Sequence, residues 1–161
     1  MSELEPMDGN AFYLEVAYAL SSCQLVEEEL KRYIADAFNL VRKFVGHRMP
    51  FKLSGDQYLD SSLERLIDMF KKLTDNQPLV DELTKFKEKR NFLSHRGISD
   101  HLDPDGELSY TGIEFQKDLV AMRSDADRLR TAIWDEGGKF RGHLWFEEVP
   151  VKTPPPPAAS L

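Results

Sequence analysis

The chain has 161 residues, with 21 Lys and Arg against 28 Asp and Glu for a formal net charge of −7, a length that suits one ordinary domain with its own core. That acidity excludes non-specific attraction of nucleic acid by the whole surface. The single cysteine, Cys23, excludes an intrachain disulfide and reads as a small core residue in a reducing compartment.

From about Asn10 to Val45, Phe12, Val16, Ala19, Cys23, Val26, Leu30, Tyr33, Ala37, Phe38, Val41 and Val45 keep a helical period, with Asp8 or Asn10 available as N-cap. Such a helix is roughly 50 Å long at about 1.5 Å per residue. The other expected helices are too short to cover it, so it is expected to bend or to meet a partner subunit. The triplet Glu27-Glu28-Glu29 reads as a solvated face. A second helix is expected over Gln57 to Leu73, with Leu59, Leu63, Leu66, Phe70 and Leu73 in one stripe after a loop marked by Pro50, Ser54 and Gly55.

A third helix is expected to open near Pro78 and to end close to Gly97. Between Ile98 and Tyr110 the D-P-D-G-E turn is flanked by short alternating segments, which predicts a small hairpin or ordered loop. The fourth helix is expected to start at Thr111, where T-G-I-E forms a capping box with Glu114, and to stop at Gly137-Gly138. The pattern predicts an all-α, four-helix up-and-down bundle over 1–138, followed by an extended C-terminal segment over 139–161 that ends in a mobile polyproline stretch. No long uncharged apolar run is present, and the acidic start S-E-L-E-P-M-D-G is unlike a signal peptide, so no membrane partner and a cytoplasmic location are expected.

The third helix breaks its own rule. Leu79, Leu83, Phe86, Arg90 and Leu93 fall at i, i+4, i+7, i+11 and i+14, so Arg90 stands where a leucine is expected. Taking an unpaired guanidinium out of water costs several kcal/mol, roughly, and partners must offset it. An acid of the first helix, Glu27 or Glu28, is one such partner. With a turn of about 100° per residue, Arg90, Ser94, Asn91 and His95 fan across one polar sector. Asn91 and His95 are i, i+4 neighbours, so Asn91 is placed to orient the imidazole. Phe92 points almost opposite the core stripe and is expected to be exposed or covered by another chain. Residues 1–36 carry eight acids against Lys31 and Arg32, whereas 85–96 carry Lys85, Lys87, Lys89, Arg90 and Arg96 against Glu88 alone. Lys87, Lys89, Ser94 and Arg96 are therefore the candidate RNA-binding residues beside Arg90, Asn91 and His95 as catalytic candidates.

Such a set suits phosphodiester cleavage without a metal or other cofactor. An imidazole ordinarily titrates near pH ~6.5, so it can take the proton of a ribose 2′-hydroxyl or return one to the leaving oxygen, and a guanidinium can hold charge developing at phosphorus. One histidine cannot easily do both, but two motifs facing across a two-fold axis would supply a base and an acid. Arg42 to His47 and Arg96 to His101 share the R-x4-H spacing, but glycines at 46 and 97 interrupt them. The acidic turn around His101 lacks the ligands of an EF-hand.

A four-helix bundle with R-N-F-L-S-H at the end of its third helix resembles the HEPN superfamily. The motif carries the specific part of the likeness; the remainder is fold-level similarity over about Asn10 to Asp135. The resemblance implies a homodimer whose paired motifs form an RNA-cleaving site, as in toxin and antitoxin pairs, antiviral defence and RNA processing. The family's arginine falls on Arg90, its polar neighbour on Asn91 and its histidine on His95. Other members have lost catalysis and serve as binding modules, so the alternative expectation is a dimerisation or adaptor module that binds a partner protein, a cognate antitoxin included.

Overall fold

The computed structural model describes residues 8–106 and 110–149, with backbone alone at 110, 111 and 113. The chain folds into four helices, α1 (Gly9–Val45), α2 (Leu63–Leu73), α3 (Gln77–Arg96) and α4 (Tyr110–Phe146), with a 3₁₀ turn at Gly55–Tyr58. Among the described residues there is no strand, and no helix is long and apolar enough to cross a membrane. Local chemistry explains the helix starts. Asp8 accepts from Ala11 N at 2.7 Å, Ser62 from Arg65 N at 3.4 Å and Asn76 from Leu79 N at 3.2 Å. Each cap satisfies one amide that the first turn leaves without a helical partner. Pro78, which lacks that amide, occupies the first turn of α3.

The apolar stripes meet as their periods require. Phe12, Val16, Ala19, Cys23, Val26 and Leu30 of α1, Leu66 and Phe70 of α2, Leu83, Phe86 and Leu93 of α3, and Leu119, Leu129 and Ile133 of α4 belong to one buried cluster. α1 packs chiefly on α4. The two helices are equally long at 37 residues, so the expected shortage of cover for α1 does not arise.

Helix direction departs from the up-and-down order expected. Glu15 pairs with Arg123, Asp36 with Arg141, and Lys43 reaches the carbonyls of His143 and Leu144, so numbers on α1 and α4 rise together and the two helices run the same way. α3 runs against both: Glu82 meets Arg128 and Lys89 meets Asp125, while Asn76 at its start meets Glu136. α2 is antiparallel to α3, since Glu64 pairs with Lys87 and only residues 74–76 join the two helices. The segment 46–62 must carry the chain back along α1 before α2 begins. Its 3₁₀ turn lies against α1, where a Cβ on Gly55 would come within 2.5 Å of Ala35 Cβ.

Three boundaries also moved. The second helix begins at Leu63 instead of Gln57, because residues 55–58 wind more tightly and Ser62 then caps a new helix; Leu59 consequently leaves the stripe and is exposed. α4 opens at Tyr110, one residue ahead of Thr111, whose side chain and proposed capping box lie outside the described residues. α4 then runs through Gly137-Gly138 to Phe146, so residues 139–146 are helix where an extended segment was expected. Gly137 is not a terminator: a Cβ there would stand 2.6 Å from Cζ of Arg141, whose guanidinium occupies that space. The tail from 150 onward lies outside the described residues. In the described part of the α3–α4 connection, residues 97–106 form turns with an isolated bridge at Leu102. The D-P-D-G turn is formed, with Gly106 N donating to Asp103 O at 3.0 Å and Gly106 at φ +81°, a conformation that favours glycine.

Glu29, Gln116, Glu136 and Arg141 are the buried polar residues among the described ones, and two of them anchor networks between the helices. Arg141, with a side chain only 3% exposed, donates to Asp36 Oδ2 at 2.7 Å and to the Trp134 carbonyl at 2.9 Å, and lies 3.6 Å from Glu29 Oε1. Its guanidinium also lies over the Trp134 ring, 4.1 Å from the centroid. Glu136 accepts from Thr74 Oγ1 at 2.7 Å, from Asn76 Nδ2 at 3.0 Å and from Lys139 Nζ at 2.8 Å. These contacts tie α4 to α1 and to the α2–α3 connection. They also correct the reading of the acidic triplet, since Glu29 is buried.

Candidate functional site

The last two turns of α3 place the R-N-F-L-S-H run at the edge of the core. Leu93 is buried, Arg90 is 30% exposed, and Asn91, Ser94 and His95 are exposed. Arg90 is held from α1: its Nη2 lies 3.1 Å from Glu27 Oε1. This is the offset that a guanidinium in a leucine position requires. Cys23 sits beside the pair, and burial pushes its thiol up to about 11, with Arg90 pulling it down and Glu27 pushing it up. As expected for a core residue, Cys23 is fully buried.

The polar sector is therefore assembled, but its internal bonds differ from those expected. Asn91 Oδ1 accepts from Arg90 Nη1 at 3.5 Å, a long contact, and so faces the guanidinium instead of orienting the imidazole. Ser94 Oγ donates to the Asn91 carbonyl at 3.1 Å. His95 makes no hydrogen bond or ion pair among the described residues, which leaves its ring free to turn toward a ligand.

The basic run is less bare than the sequence implies. Lys87 pairs with Glu64 at 3.2 Å, Lys89 with Asp125 at 3.4 Å and Arg96 with Asp100 at 3.0 Å. With the Arg90–Glu27 pair, four of the five cations between 85 and 96 carry a carboxylate; Lys85 has none among the described residues. Exposed pairs such as Lys89–Asp125 and Arg96–Asp100 are worth about 0–1 kcal/mol, so an anion can displace them, while the part-buried Arg90–Glu27 pair is held more firmly; the net field is weaker than a count of lysines suggests.

Phe92, expected to be exposed or covered by another chain, has partners in its own chain. It is 40% exposed and meets Phe115 of α4 at 5.8 Å and His101 at 6.3 Å between ring centroids. His101 stacks on Phe115 at 4.2 Å and 27°. Burial holds the His101 imidazole below its ordinary pKa, against the opposing pull of Asp100 and Asp118. These rings wall a cleft of about 560 Å³ between the end of α3 and the start of α4, with Glu88, Lys89 and Asp118 also on its walls. No motif marked it in the sequence. The available sign was the i, i+4 pair Ile98 and Leu102, both packed on the core, which folds 97–102 back onto the bundle.

The two other R-x4-H spacings are spent structurally. Arg42 donates to the Leu53 carbonyl at 2.8 Å and to Asn39, pinning the loop after α1, and His101 is stacked on Phe115. His143, expected in an extended segment, lies in the last turn of α4 and pairs with Glu147. Among known proteins, the chain matches no family, no characterised protein and no solved structure.

Proposed function

We propose that the protein is a metal-independent endoribonuclease of the kind the HEPN resemblance implies, acting in toxin, defence or RNA-processing settings, with an active site completed by a second copy of the chain. One observation carries this reading: a guanidinium, fixed by Glu27, borders an exposed sector that holds Asn91, Ser94 and His95. In this scheme one protomer's His95 removes the 2′-hydroxyl proton. The 2′-oxygen attacks phosphorus, the P–O5′ bond breaks, and the other protomer's His95 protonates the departing oxygen while the two Arg90 side chains stabilise the charge. Asn91 turns its Oδ1 toward the Arg90 guanidinium and adds a weak contact to the pair with Glu27. The outward face of α1 supports a second copy: Leu14, Tyr18 and Leu25 recur at i, i+4 and i+11 and are about half exposed, an apolar row interrupted at Ser21 of the kind that an interface can cover. The test is cleavage of single-stranded RNA by the purified full chain. His95→Ala is expected to abolish it with the fold intact, and undiminished cutting by that variant overturns the assignment.

A second reading is a non-catalytic dimerisation or adaptor module that binds a partner protein. It is favoured by the carboxylates already paired with Lys87, Lys89, Arg90 and Arg96. This reading holds if the wild type cuts no RNA and Arg90→Ala turns a dimer into a monomer.

A further inference from the structure

The aromatic cleft lies beside the polar sector on the same helix. Phe92 and His95 are i, i+3 neighbours, as are Glu88 and Asn91, which puts their Cβ atoms about 5–6 Å apart. A strand whose phosphate sits at His95 therefore has a base within reach of Phe92. We propose that this cleft takes the base of the nucleotide at the cleaved phosphate, and that the base is guanine; the proposal rests on the ribonuclease reading above.

Ring chemistry argues for a base. Single-stranded RNA is recognised by stacking unpaired bases on Phe, Tyr, Trp or His and by hydrogen bonding their edges. Phe92 presents an exposed ring, and His101 and Phe115 form a stacked pair behind it. The edge groups argue for guanine. Glu88 and Asp118 line the cleft with acidic side chains, and Lys89 lines it too, its ammonium lying 3.4 Å from Asp125 at the cleft's margin. Guanine offers adjacent N1–H and N2–H donors that match the two oxygens of one carboxylate, while its O6 and N7 accept from a lysine. Uracil sets its one N–H between two carbonyl oxygens, which a carboxylate repels. Adenine and cytosine pair one amino group with an acceptor and leave half of the carboxylate without a donor. Lys89 is available because its contact with Asp125 is exposed and long. The carboxylates also disfavour a phosphate inside the cleft, which places the anion on the His95 side.

The experiment titrates ¹⁵N-labelled full-length protein with the 3′-monophosphates of guanosine, adenosine and uridine. Guanosine monophosphate is expected to bind about tenfold more tightly than the other two, with shifts centred on Phe92, His101 and Phe115. Phe92→Ala is expected to weaken it about tenfold or more, in line with the worth of one stacked base. Asp118→Asn and Glu88→Gln change exposed side chains and leave the core alone; at least one of them is expected to remove the preference for guanine. Equal binding of all three nucleotides, shifts located elsewhere, or a Phe92→Ala variant that binds like the wild type would overturn the proposal. Nucleotide binding is read separately from cutting. A protein that binds guanosine monophosphate but cuts no RNA keeps the cleft and loses the nuclease, whereas one that cuts RNA without such binding loses only the cleft.

Discussion

Gly137→Ala should destabilise this protein, although the same change inside an ordinary helix stabilises by about 0.5–1 kcal/mol. The added Cβ would stand 2.6 Å from Cζ of Arg141 and 2.7 and 2.8 Å from its two terminal nitrogens, so the guanidinium has to move. It has nowhere equivalent to go, being fixed by Asp36 at 2.7 Å, by the Trp134 carbonyl at 2.9 Å and by the Trp134 ring. Each hydrogen bond to a charged group is worth about 1.5–3 kcal/mol, and removing one member of a buried ion pair outright costs about 3–5 kcal/mol. Because the cation is displaced and not deleted, the net loss should be about 1–3 kcal/mol after the helical gain. The sign reverses once the guanidinium is gone. In an Arg141→Ala background, itself destabilised by about 3–5 kcal/mol, Gly137→Ala should add about 0.5–1 kcal/mol of stability. Urea unfolding of the four proteins closes this double-mutant cycle, and the coupling should be about 1.5–4 kcal/mol. A wild-type background in which Gly137→Ala raises the unfolding midpoint would refute the account of why α4 passes through its glycines.

Two further outcomes follow from the buried groups. Burial pushes the Glu136 carboxyl up, but hydrogen bonds from Lys139, Asn76 and Thr74 together outweigh it and hold the group below its ordinary 4.5. The unfolded chain therefore takes up this proton first, so the contribution of Glu136 is complete above about pH 4.5 and is lost as pH falls through the lowered value. Glu136→Gln should flatten the acid limb of a stability-versus-pH curve, and an unchanged limb would contradict the bonding described. With its thiol pushed up to about 11, Cys23 should be about one part in a thousand thiolate at pH 8. Iodoacetamide should then label it only in urea, and rapid stoichiometric labelling of the native protein would place Cys23 at the surface.

What was legible in the sequence is what local spacing controls. The stripes of α1 and α3, the cap at Asp8, the turn at Gly106 and the need of Arg90 for an acid of the first helix all follow from neighbours within a turn or from a single broken period. The reading of Gly137-Gly138 as a stop failed because a helical glycine can mark a close approach as well as an end, and the group that approaches, Arg141, lies one turn further along an apparently polar segment. Arg141 itself gave no signal, since its acids Glu29 and Asp36 are about a hundred residues away on α1.

The same distance governs the candidate site. A window over 85–96 counts five cations and one acid, yet the carboxylates that meet four of those cations come from Glu27, Glu64, Asp100 and Asp125. Glu27, Glu64 and Asp125 lie on α1, α2 and α4, which pack around α3, and Asp100 lies just beyond the end of α3, so the local charge run overstates the field. Whatever anion docks here must exchange with existing carboxylates, and His95, which has none to exchange, is the group at which that exchange costs least. An arginine bound in advance and a histidine left unbound make a sector that is fixed at one end and adaptable at the other. The ribonuclease proposed above asks for that division between positioning and proton transfer, and it is the reason the proposal calls for a second copy of the chain.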